Sequence, residues 1–63
     1  MTEWKRFIDK NVVIETSTFK YFGKIVEVTD SGDGLIWIGI YRRDNGKFVL
    51  LTAKEIKKIE EIE

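Results

Sequence analysis

The spacing of apolar positions changes along the chain, and each change marks an element. Trp4, Phe7 and Ile8 stand at i, i+3 and i+4, the spacing of one helical face. Thr2 offers an N-cap ahead of them, and Glu3 suits the positive end of a helix dipole. The pattern predicts a short helix over residues 2–8. A segment this short does not stay helical alone, so its apolar face needs something to dock on. From residue 11 the period becomes two. Val12, Ile14 and Thr16 fall on one face of a strand over 11–17, with Val13, Glu15 and Ser17 on the other.

Residues 18–20 read as a turn and 21–29 as a second strand, in which Gly23 allows a bend or close packing. The alternation slips among Ile25, Val26 and Val28, which predicts a bulge. Asp30-Ser31-Gly32-Asp33-Gly34 is a loop by composition. The third strand, 35–42, is apolar on both faces, with Ile36, Ile38 and Ile40 on one side and Leu35, Trp37, Gly39 and Tyr41 on the other. Such a strand is covered twice. The second cover is the N-terminal helix, a neighbouring copy or a ligand. Arg43-Asp44-Asn45-Gly46 predicts a hairpin turn, because Asn and Gly both tolerate positive φ, and a fourth strand follows over 47–52. Thr52-Ala53-Lys54-Glu55 matches a capping box. Ile56, Ile59 and Ile62 recur every third residue, so 53–62 reads either as one helical turn and a closing strand near 57–62 or as a continuous helix. The strand is preferred, because a small barrel needs it to close. The expected architecture is all-β: one domain spanning 1–63, a small five-stranded bent antiparallel barrel with a short N-terminal helix.

Composition bounds how such a domain is stabilised. At 63 residues the chain buries only about 60% of its unfolded surface. It has no cysteine for disulfides and no histidine for a transition-metal site. Good packing or self-association remains. Apolar residues at 43%, many of them β-branched, argue for a folded chain. Lys, Glu and Ile are abundant, and Cys, His, Gln and Pro are missing, a bias seen in proteins from hot environments. The longest apolar run, 35–41, is too short to span a bilayer, and the N-terminus lacks a signal-peptide core. A cytoplasmic protein is the default expectation. Eleven basic and eleven acidic residues give zero net charge, so a nucleic-acid surface requires charge segregation within the fold.

Residues 7–60 resemble the Sm-like family, which includes Sm, Lsm and Hfq proteins. The likeness lies in a short helix before a Val12-x-Ile14 strand and in Tyr21-x-Gly23-x-Ile25. It continues through Val28 and the acidic loop to Asp33, the long hydrophobic third strand, the polar turn with Gly46, Phe48-Val49-Leu50, and Ile56 and Ile59 at the last strand. The resemblance implies a homo-oligomeric ring in which the fourth strand of one copy pairs with the fifth of the next, through residues 47–52 and 56–62. It also implies RNA binding. The family's pocket residues are not reproduced, however. Thr29 or Asp30 stands for its Asp, Asp33 for its Asn, and Leu51-Thr52 for its Arg-Gly. Small barrels of archaeal chromatin proteins and Src-homology-type modules share this outline.

Two constellations carry candidate chemistry. Phe19-Lys20-Tyr21-Phe22-Gly23-Lys24 interleaves aromatics with bases, which suits stacking on unpaired bases while lysines meet phosphates. The competing reading makes Tyr21 and Gly23 core and leaves the lysines solvated. Trp37, Tyr41, Arg42 and Arg43 form the second; here the competing reading buries Trp37 under the N-terminal helix. The candidate nucleic-acid-binding residues are Lys20, Tyr21, Lys24, Trp37, Arg42 and Arg43. Asp30, Asp33 and Gly34 are better read as turn residues than as a calcium loop. The C-terminal lysines and glutamates read as a solvated edge. Without His or Cys, no Ser-His or Cys-His nucleophile pair exists, and no phosphate-cradling Gly-rich motif is present, so no enzymatic activity, cofactor or metal is expected. The leading expectation is an RNA-binding ring. Its rivals are a protein-interaction or scaffold module and a chromatin-like monomer that binds duplex DNA through an exposed aromatic–basic sheet.

Overall fold

A computed structural model describes residues 3–62. Its five antiparallel strands are β1 (Asn11–Glu15), β2 (Lys20–Asp30), β3 (Ile36–Arg42), β4 (Phe48–Thr52) and β5 (Lys58–Glu61). They form one sheet in the order β4-β3-β2-β1-β5. Neighbours in sequence are neighbours in the sheet from β1 to β4, as short connections favour, and β5 returns beside β1. The ladder does not close: β4 and β5 are its two edges.

The long strand β2 organises the sheet. Its first half pairs with β1, from Lys20 opposite Glu15 to Lys24 opposite Asn11. From Gly23 onward it pairs with β3. The expected bulge is present, as the register shifts between Ile25 and Glu27. Gly23 and Ile25 are buried before the shift and Val28 after it. The extra residue keeps the inward side apolar while the strand bends. Alternation on all strands then assembles one core from Val12, Ile14, Ile25, Val28, Ile38, Ile40 and Leu51, with Ile56 and Ile59 packed against it.

The N-terminal segment is a 3-10 helix, Glu3–Phe7, rather than a longer helical face; the proposed Thr2 cap lies outside the described residues. Trp4, Phe7 and Ile8 all pack against the core, so the expected dock exists. It is made chiefly on β2, where Ile8 forms a bridge with Ile25. The chain turns there at Asp9, which takes φ 69°. Trp37 is not beneath this helix: its cleft is lined by Glu27, Thr29 and Leu50.

The segment after β4 follows the preferred reading, a 3-10 turn at Ala53–Glu55 followed by strand β5. The capping box does not form, as Thr52 makes no side-chain cap hydrogen bond. One turn instead closes through the Ile56 N–H on the Ala53 carbonyl (3.1 Å). The 43–46 hairpin also differs from a two-residue Asn-Gly turn. Arg42 N–H bonds the Lys47 carbonyl and Gly46 N–H the Arg42 carbonyl, both at 2.9 Å, which makes a four-residue loop. Only Gly46 takes positive φ there (71°). Among the described residues no helix is long and apolar enough to cross a membrane.

Candidate nucleic-acid interface

Strand alternation assigns the six candidate residues to two sides of the sheet. On β2, Tyr21, Gly23 and Ile25 face inward, so Lys20, Phe22 and Lys24 face outward. On β3, Ile38 and Ile40 face the core, so Trp37, Gly39 and Tyr41 share the outward side. The two patterns meet in register, with Lys24 opposite Tyr41, Glu27 opposite Gly39 and Thr29 opposite Trp37. Tyr41 and Gly39 are in turn opposite Phe48 and Leu50 of β4.

Two of the candidates, Tyr21 and Arg42, lie on the inward side. Tyr21 is half-buried against the core, which is the core reading of that ring. Phe19 lies tilted against it at 5.8 Å, and the Arg42 guanidinium stands 5.4 Å from its centre. Arg42 also donates two hydrogen bonds to Asp44, from Nε (3.1 Å) and Nη2 (2.7 Å). Arg42 is therefore fixed by a carboxylate and a ring. Hydrogen bonding by Arg42, aided by its charge and opposed by slight desolvation, holds the Asp44 carboxyl below its usual range.

The other four stay on or beside the outward face. Lys24 makes no ion pair among the described residues. Lys20 lies 3.5 Å from Glu15, but both are well exposed, and such pairs are worth at most about 1 kcal/mol and yield to salt. Arg43 follows β3 directly, and its N–H donates to the Phe22 carbonyl (2.7 Å), which holds its backbone against that of Phe22. Trp37 sits at the far end of the face, half-buried, on a shallow cleft of about 260 Å³ with Glu27, Thr29 and Leu50.

Three aromatic residues outside the candidate set complete the surface. Phe22, Tyr41 and Phe48 are 45%, 50% and 45% exposed, unusual for rings that are free to bury. Tyr41 and Phe48 meet edge-to-face at 5.3 Å. The Phe48 ring lies across Gly39, where a β-carbon would come within 2.6 Å of its Cζ. These rings are thus braced by each other and by the backbone. Phe22 and Tyr41 were legible by parity, since they alternate in step with Lys24 and Trp37. Phe48 needed the β3–β4 register.

The face is not purely basic. Glu15, Glu27 and Glu60 lie on its side of the sheet, where Glu60 stands 4.0 Å from Lys58, and Lys10 pairs with Glu61 at 4.0 Å on the other parity of β5. The local concentration is Lys20-Phe22-Lys24 with Arg43, beside Tyr41 and Phe48. Comparison of the chain with protein-family models, with curated proteins and with solved structures gives no match.

Proposed function

We propose that this chain is a non-enzymatic nucleic-acid-binding domain that takes single-stranded RNA across the outward face of β2, β3 and β4. One observation carries the reading: half-exposed Phe22, Tyr41 and Phe48 share that face with Lys20 and Lys24, and Arg43 adjoins it. Exposed rings supply stacking surfaces for splayed bases, and the flanking cations meet the phosphates. The proposal includes assembly with copies of itself. Edge strands β4 and β5 each lack a partner on one side, and Sm-like proteins, which residues 7–60 resemble, join subunits through the corresponding strands. Residues 47–52 and 56–62 are then the contact, and a closed ring would repeat the binding face around its axis. A cytoplasmic location is part of the same proposal.

A second reading, a protein-interaction module, is favoured by the zero net charge and the apolar Trp37–Leu50 end of the face. Fluorescence anisotropy of labelled single-stranded RNA and duplex DNA at two salt concentrations separates them. The expected result is RNA binding that weakens as salt rises, through counterion release. Tyr41→Ala should weaken it by about 1–3 kcal/mol, the worth of one stacked base, and Lys24→Ala should flatten the salt dependence. Preference for duplex DNA would favour the chromatin-like alternative. No binding at either salt would sink the nucleic-acid reading and leave the protein-interaction module.

A further inference from the structure

We infer a second site, for a phosphate group, in the cleft where the inward side of the curled sheet opens between the 16–19 loop and the 3-10 turn after β4. The cleft has a volume of about 420 Å³ and is lined by Thr16, Ser17, Thr18, Tyr21 and Leu51 and by Lys54, Glu55 and Lys57.

Its chemistry is that of an anion site. Neither Lys54 nor Lys57 forms an ion pair among the described residues. The Thr16 hydroxyl is committed to the loop: it accepts from the N–H groups of Thr18 (3.3 Å) and Phe19 (2.9 Å) and donates to the Phe19 carbonyl (3.1 Å). This ties the loop and leaves Ser17 and Thr18 at its tip, their hydroxyls without partners among the described residues. Lys57 is carried on an anchored backbone, because its N–H donates to the Glu15 carbonyl at 2.7 Å. Two lysines and two hydroxyl-bearing residues thus line one cleft against a single carboxylate, Glu55, a composition that suits charge-assisted phosphate binding.

The cleft also limits the ligand. Its volume falls in the range of small-ligand pockets, about 300–1,000 Å³, and exceeds what a bare anion needs. Glu55 is its one carboxylate and accepts hydrogen bonds only, so the body bearing the phosphate should carry a hydroxyl. A phosphate ester of a sugar fits, as in a free nucleotide or the phosphorylated end of an RNA strand. A neighbouring cavity of about 350 Å³ shares Thr16, Ser17 and Thr18 and reaches Lys20, so a strand lying on the outward face could end here. The site does not depend on that face, which it meets only near Lys20.

The test is a set of amide NMR titrations of the isotope-labelled full chain with adenosine monophosphate, and with short RNAs carrying or lacking a terminal phosphate. Shifts should concentrate at Ser17, Thr18 and residues 54–57. The double variant Lys54→Ala/Lys57→Ala, altered only at exposed positions, should weaken binding about tenfold or more. Tyr41→Ala should leave the shifts induced by adenosine monophosphate intact, so failure of the outward-face reading and failure of this one are distinguishable. Saturation by the mononucleotide identifies a free nucleotide as sufficient. A response confined to phosphorylated RNA identifies the strand end. Shifts spread over lysines throughout the surface, no shifts with any probe, or unchanged affinity in the double variant would overturn the site.

Discussion

A β-carbon on Gly23 would overlap the carbonyl oxygen of Tyr41 and stand 2.8 Å from its carbonyl carbon. Backbone cannot swing aside as a side chain can, so glycine is required here for close approach of β2 to β3. Gly39 is also crowded, but by the far end of the Phe48 ring, which can rotate away. The two positions should therefore respond differently to the same substitution. Gly23→Ala should destabilise the fold on the order of 3 kcal/mol, as overpacking against an unyielding neighbour does. Gly39→Ala should cost well under half of that and mainly expose the displaced ring. Urea denaturation of both variants checks this, and equal losses would refute the distinction. At the same scale, Lys24 stands on the outward face and Arg43 beside it, whereas Arg42 is held by Asp44 and Tyr21.

The bulge and the 43–46 hairpin decide most at the scale of the element. Without the bulge, β2 would turn Glu27 inward and Val28 outward, and the lower half of the core would be lost. The bulge was readable because three apolar residues broke the alternation. The hairpin was readable in position but not in type, since the Arg42–Asp44 pair and the Gly46 turn fix a four-residue loop. That pair is expected to add a small acid-sensitive contribution to stability. Hydrogen bonding from Arg42 lowers the Asp44 carboxyl, and hydrogen bonds from the Ser31 hydroxyl and the Leu35 N–H lower that of Asp33. Folded values below the unfolded value of about 3.9 mean that the stabilisation is present above it. It is lost as pH falls through the depressed folded values. The thermal midpoint should thus drop below about pH 4, and Asp44→Asn should shrink that drop. An unchanged acid profile would argue against the pair.

For the molecule as a whole, the central fact is a small core inside an unclosed sheet. A 63-residue domain has a total stability of about 3–9 kcal/mol, so any pairing of its edges is a large fraction of what holds it together. Backbone groups along the free sides of β4 and β5 are available for such pairing, and the uncharged β4 segment Phe48–Thr52 has little to discourage it. If copies associate through these edges, the melting midpoint should rise with protein concentration, and sedimentation should find a mass above that of one chain. A concentration-independent midpoint with a monomer mass would remove self-assembly from the proposal while leaving the aromatic–basic face untouched.

The sequence by itself determined the kind and order of the first four strands and the bulge, while it left a bend or close packing open at Gly23 and a turn with a strand or a continuous helix open over 53–62. What it determined is written in local periodicity or in a residue type with restricted alternatives. It also contained the outward alternation of Lys20, Phe22 and Lys24. Only the tertiary structure decided which aromatics stay half-exposed, because that depends on the registers joining β2 to β3 and β3 to β4. It alone docked the N-terminal 3-10 helix chiefly on β2, away from Trp37, and paired Arg42 with Asp44. The cleft of Lys54 and Lys57 with Ser17 and Thr18 has the same origin. Those residues are distant in sequence and meet because β5 returns beside β1, a long-range pairing to which no local pattern points.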